Sequence, residues 1–186
     1  AWLYIIEKIR LPKAITAILV GVALSVGGLQ MQTLFRNPLA GPSELGISSG
    51  ASLGVAAVLL SGGGTVSSIA AISQLGISGS WLLSFVASLG AAAIFFIVII
   101  IAGKLRDHVV MLIVGVMIST LTMSFITIWQ YFSQPEQLQA YIFWTFGSLG
   151  GVMSTQLGVF AIVVTIGILL AFIASKALNT LLLGED

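Results

Sequence analysis

Cysteine is absent from the 186 residues. That excludes a disulfide framework and any thiolate metal site. Charge is scarce too: Lys, Arg, Asp and Glu make up 7% of the chain, against 58% hydrophobic residues. A soluble domain carries roughly 25% charged side chains, so this chain lacks the charge to cover a water-facing surface. The composition is that of an integral membrane protein. Histidine occurs once, at His108 beside Asp107, where a solvated loop histidine is the plain reading. No paired carboxylates, nucleophile–base pair or metal-ligand cluster is present, so no catalytic residue, metal or cofactor is expected and the chain is not read as an enzyme. The net charge of +1 names no partner, and there is no basic patch for nucleic acid. Gly62-Gly63-Gly64 lacks the Lys-Ser/Thr of a phosphate-binding loop and follows no strand, so nucleotide binding by this chain is not expected.

What is present is long apolar sequence. Uncharged runs extend from Ala14 to Phe35, Leu45 to Gly103, Val109 to Pro135 and Gln137 to Ser175. A spanning helix needs about 20 apolar residues. The chain is therefore read as all-α, a polytopic transmembrane bundle of about five spans with a short external helix. The spans fall at about 14–35, 45–60, 81–102, 109–131 and 155–175, in a single transmembrane domain over 1–186. Residues 1–13 are amphipathic, with Trp2 and Tyr4 at interfacial positions, and read as a membrane-surface segment. The 66–80 stretch is a loop, an interfacial helix or a helix extension. Tyr141 to Gly151 is dense in aromatics and too short to span; it reads as an interfacial belt or a short outward helix ended by Gly150-Gly151.

The spans are organised around a polar interruption at Arg36 to Glu44. Residues before Pro38 and Pro42 are pushed out of the helical region, so the chain must turn. Pro42-Ser43-Glu44 then reads as a helix start. Gly46, Gly50 and Gly54 follow at every fourth position and make a smooth face for close helix packing. The span at 109–131 carries Ser119, Thr120, Thr122, Ser124 and Thr127. Most hydroxyls in membrane helices bond the preceding turn, yet their density hints at a helix lining a pathway. No run carries an ionisable residue at mid-membrane depth. Carriers coupled to protons or sodium usually keep such groups there, so a secondary carrier is disfavoured and a passage powered from elsewhere is favoured.

Several of these stretches carry a resemblance. Arg10-Leu11-Pro12-Lys13, Leu34-Phe35-Arg36-Asn37-Pro38-Leu39-Ala40, Leu45-Gly46-Ile47-Ser48-Ser49-Gly50-Ala51, Trp144-Thr145-Phe146-Gly147-Ser148-Leu149 and Leu178-Asn179 to Leu183-Gly184-Glu185 follow one another along the chain. In that order the chain resembles the FecCD/BtuC-like permeases, membrane subunits of binding-protein-dependent ABC importers for ferric siderophores, haem and cobalamin. The resemblance implies a ten-span permease fold, of which this chain would be an internal portion lacking the first span and the last four. It also implies a multi-pass protein of the bacterial inner membrane. The expected partners are a separate ABC ATPase subunit, an external substrate-binding protein and a second permease subunit, in a homodimer or with a similar chain, all within membrane lipid.

Residue roles follow from the same resemblance. Arg10 and Lys13 would dock the binding protein, with Lys13 standing where the family usually has Arg, so the charge stays and the bidentate fork is lost. Asn37 and Leu39, with Ser119 and Thr120, would belong to the cytoplasmic gate. Asn179, Leu183, Gly184 and Glu185 would open the segment that couples to the ATPase. Lys and Arg number three on the N-terminal side (Lys8, Arg10, Lys13) and four on the other (Arg36, Lys104, Arg106, Lys176). That bias weakly favours the elbow inside. The expected function is ATP-driven uptake of a ferric siderophore or related chelate by alternating access, with haem and cobalamin as alternatives. A non-transporting membrane scaffold, packed through the same glycines, is the rival from another class.

Overall fold

A computed structural model describes residues 2–61, 79–103, 108–149, 152 and 154–183. The glycine run at 62–64, the 66–78 stretch, the charged loop at 104–107, Gly150, Gly151, Gly184 and Glu185 lie outside the described residues. The described residues are helical, with no strand among them. The helices are α1 (Trp2–Phe35), α2 (Ile47–Leu59), α3 (Gly79–Ala102), α4 (His108–Tyr131), α5 (Pro135–Thr145) and α6 (Ser154–Leu183). Four of them, α1, α3, α4 and α6, are long and apolar enough to cross a membrane; α2 has 13 residues.

Several boundaries differ from the sequence expectation, each for a local reason. Residues 2–13 are not a separate surface segment; they continue α1 outward. A π-helical turn at Ile6–Arg10 precedes Pro12, and the Leu11 N–H reaches back to the Ile6 carbonyl. Proline has no N–H and its ring clashes with the carbonyl four residues earlier, so the ladder opens by one residue there. Pro42 starts a 3-10 turn, Pro42–Leu45, rather than the α-helix. Gly46 then adopts φ 79, and α2 begins only after it. The short aromatic helix starts at Pro135, not Tyr141. Proline suits the first turn of a helix, and Gln134 and Gln137 cap each other's backbone. It ends at Gly147, φ 67, rather than at Gly150-Gly151. Finally, α6 runs on through Lys176 to Leu183.

The chain forms two compact units, residues 1–42 with 148–186 and residues 43–147. In the first, α1 packs along α6. The two run parallel. Ala23 and Gly27 lie with Phe160, Val163 and Gly167; Leu29 and Thr33 lie with Phe172, Ser175 and Asn179; Arg36 reaches the Leu181 carbonyl.

In the second unit, α2 is the inner helix and packs against α3, α4 and α5. It meets α3 antiparallel, with Gly46 beside Ile94, Gly50 beside Gly90 and Gly54 beside Val86. A methyl group on Gly50 would lie 2.6 Å from the Gly90 carbonyl oxygen, and one on Gly90 would lie 2.8 Å from the Gly54 nitrogen. The two backbones touch, as small residues allow between membrane helices. Gly115 of α4 gives the same close approach to the backbone of Glu44 and Leu45. Val55, Ala56, Leu59, Leu60, Ile126 and Tyr141 form the core of this unit. The large side chains left outside, such as Phe85, Phe96, Leu121 and Phe125, are the ones hydrocarbon would solvate.

These directions set an expectation for the number of passes. Two parallel spanning helices begin on the same side, so an odd number of crossings is expected between them. Helices α3 and α4 are long and apolar enough to supply two. The remaining pass is then expected between the elbow and α3, where α2 is the helix among the described residues. At 1.5 Å per residue α2 is about 20 Å long, short of the roughly 30 Å hydrocarbon core, but its neighbours are protein.

Accordingly, Leu39→Cys and Thr180→Cys are expected to react with an impermeant thiol reagent from one face of the membrane, and Gln139→Cys from the other. Leu39 is 87% exposed and the chain has no competing cysteine. Labelling of Leu39→Cys and Gln139→Cys from one face would contradict the odd count.

Candidate functional site

The elbow is built by its own side chains. At the end of α1 the Arg36 N–H bonds the Thr33 carbonyl at 3.3 Å, and the Asn37 N–H bonds the Gln32 carbonyl at 3.1 Å. This helix end wants its αL residue to be glycine. Here it is Arg36, φ 49, the one non-glycine residue with positive φ among the described residues. The Asn37 carboxamide oxygen accepts the Leu39 N–H at 2.9 Å, and the Ala40 N–H donates to the Asn37 carbonyl at 3.1 Å. The Gln32 carboxamide donates to the Pro38 carbonyl at 2.9 Å. So the turn is held by Asn37 as a local Asx-type brace and by Gln32 from the helix before it. Leu39 projects from the rim, while Ala40 beside it is buried. The Arg36 guanidinium donates to the Leu181 carbonyl in the last turn of α6.

Beside the elbow, α1 and α6 enclose a groove of about 250 Å³ lined by Gln30, Thr33, Ser175 and Asn179 among apolar side chains. Thr33 and Ser175 donate their protons to Leu29 and Phe172 carbonyls of their own helices. Two carboxamides, from Gln30 and Asn179, thus line a mostly apolar groove. Leu183 is the last described residue of α6.

Arg10 and Lys13 sit three residues apart near the start of α1 and are exposed, so they share a face. In the second unit, Ser119 is brought to Gly46: a methyl group there would sit 3.2 Å from the Ser119 hydroxyl. Thr120, next along α4, is exposed. The hydroxyls of Ser119, Thr120, Thr122, Ser124 and Thr127 donate to the carbonyls four residues back, at 2.8–2.9 Å. Asn37 and Leu39 belong to one compact unit, Ser119 and Thr120 to the other.

Tyr141 anchors the short helix. It is buried against Trp144 and the α2–α4 core, and its phenol bonds Ser52 of α2. Burial pushes the phenol above its ordinary pKa, and the Ser52 bond offsets this in part. The fold therefore favours the neutral phenol, and that contribution is lost as the pH rises above 10. Tyr141→Phe is expected to cost about 1 kcal/mol, one neutral hydrogen bond, and Tyr141→Ala about 3–5 kcal/mol through the cavity left. Thermal unfolding in detergent measures both; equal costs would remove the packing account.

Sequence reading missed the reach of Arg36 to Leu181, the Gln32–Pro38 brace, and the partner glycines Gly90 and Gly115. A signal existed for Gly90, which opens the small-residue run Gly90-Ala91-Ala92-Ala93.

The class is that of membrane permeases, in keeping with a multi-pass helical bundle that has a braced polar elbow between its apolar helices. The family itself is specific: the chain matches the FecCD transport family over residues 2–186 and belongs to it. It is 35% identical over 185 residues to a protein of Methanocaldococcus jannaschii provisionally named an ABC transporter permease, covering 98% of this chain and 52% of that one. It is 34% identical over 180 residues to the vitamin B12 import system permease protein BtuC of Klebsiella pneumoniae, covering 97% and 50%. A solved structure, an inward-facing conformation of a transporter provisionally assigned to the metal-chelate ABC type, superposes with a TM-score of 0.80 at 25% identity, over 98% of this chain and 54% of that one. The chain spans about half the length of the curated relatives it matches. It is a multi-pass protein of the cytoplasmic membrane.

Proposed function

We propose that the chain is part of one permease domain, the membrane subunit of an ABC importer that takes up a ferric siderophore or a related metal chelate. What carries this reading is family membership along nearly the whole chain, joined to relatives named as ABC and vitamin B12 permeases. Cobalamin is itself a metal chelate, and the solved neighbour is provisionally assigned to the metal-chelate type, which supports the chelate class as cargo. Two such subunits would enclose the path. An external protein would deliver cargo to the face carrying Arg10 and Lys13, and an ATPase would engage the chain from Asn179 through Leu183, Gly184 and Glu185. Asn37, Leu39, Ser119 and Thr120 would take part in closing the inner end. Differential binding of ATP and of the loaded delivery protein to outward- and inward-facing states would move the equilibrium between them. Gly46, Gly50 and Gly54 would keep α2 and α3 a rigid unit during that change.

The test is reconstitution of the full-length protein with its ATPase and binding protein in liposomes. Chelate uptake that requires ATP supports the reading. Uptake without the ATPase, or a membrane complex that assembles but moves nothing, would favour a secondary carrier or a scaffold.

A further inference from the structure

Arg36 has two properties that do not follow from making a turn. Its backbone occupies the left-handed region, which costs a non-glycine residue about 1–2 kcal/mol. Its side chain leaves the elbow and bonds the Leu181 carbonyl, 145 positions later in the sequence. Local strain of this kind persists where the surroundings enforce it and often marks a functional site. The surroundings do enforce it here: Gln32 holds Pro38 and Asn37 holds Leu39. On the other side, Leu181 lies in the last described turn of α6, and its carbonyl oxygen, with two lone pairs, can accept from a guanidinium. Thr33, one turn before Arg36, lies across the groove from Ser175 and Asn179, so the two helix ends are also packed side by side.

We propose that Arg36 is a coupling strut: through its bond to the Leu181 carbonyl it makes the elbow and the end of α6 move as one body. This rests on the reading of residues 179–185 as the ATPase-coupling segment. A displacement imposed there would reach the Asn37–Leu39 turn directly through the guanidinium. Arg36 is a positioning residue in this scheme and touches no cargo. Without it the elbow and the helix end remain folded and stay joined by the packing of α1 along α6, but the elbow follows the helix end less closely.

Arg36→Gly is the discriminating variant. Glycine accepts φ 49 without strain, so the elbow backbone is kept and only the strut is removed. The full-length protein, reconstituted with its ATPase and binding protein, is measured for chelate moved per ATP hydrolysed. The expected result is a ratio about tenfold lower in Arg36→Gly, the scale of one charge-assisted hydrogen bond, with ATPase activity within about twofold of wild type. Arg36→Lys, which keeps one charged donor, is expected to recover part of the ratio. A merely structural arginine would instead lower the yield of folded complex and both activities together. An unchanged ratio in Arg36→Gly, with the wild-type complex active, overturns the strut alone. Failure of the wild-type complex to transport overturns the permease reading and the strut with it.

Discussion

Gly90→Ala is expected to disrupt the second unit, lowering stability by about 3 kcal/mol, the upper range for overpacking a filled site. The added methyl would collide with the Gly54 nitrogen and α-carbon at 2.8 and 2.9 Å and crowd the Gly50 carbonyl. These are backbone atoms on a facing helix and cannot rotate away. Relief requires α2 and α3 to separate, which would also loosen the core at Val55 and Ala56. In a domain of this size the loss corresponds to a melting temperature about 10 °C lower, read by thermal unfolding in detergent. Gly21→Ala and Gly158→Ala are the controls. Nothing lies within 4 Å of a methyl group at either position, and alanine in a helix interior is favoured over glycine by about 0.5–1 kcal/mol. Equal melting temperatures for Gly90→Ala and Gly21→Ala would mean that the α2–α3 contact is looser than described.

The second large effect is expected at the other end of the chain. The double variant Arg10→Glu with Lys13→Glu should weaken capture of the binding protein about a hundredfold at low ionic strength, taking roughly tenfold for each reversed charge at a complementary interface. Both side chains are exposed on one face of α1, so their exchange should leave the helix intact. The loss should shrink as salt is added, because exposed charges are screened over about 10 Å at 0.1 M. Binding assays on the full-length permease across a salt series give the answer. Affinity unchanged at low salt would take Arg10 and Lys13 out of the docking proposal.

Much of the fold could be read from the residues because hydrocarbon imposes a strict demand on them. The runs Ala14 to Phe35, Leu45 to Gly103 and Gln137 to Ser175 left few alternatives to helices, and Pro38 and Pro42 located the turn. Helix ends were less legible, because they depend on single backbone groups. Pro12 forced a π-helical turn instead of ending the helix, and the Gln134–Gln137 cap moved the start of α5 back to Pro135. The glycine stripe was visible in α2, but its counterpart at Gly90 was one of many small residues until the facing backbone was placed. The reach of Arg36 to Leu181 could not be seen at all, since periodicity carries no information about which distant carbonyl a long side chain will meet.

The enclosed position of α2 has a consequence for how such proteins are mapped. Parity governs sidedness: every segment downstream of a miscounted helix is assigned to the wrong compartment. A count restricted to helices of 18 residues or more would skip α2, draw an even total, and turn α3, α4, α5 and α6 upside down. What protects against this error is not more hydrophobicity data but a single pair of codirectional helices, because two arrows pointing the same way disclose the crossing that length alone conceals.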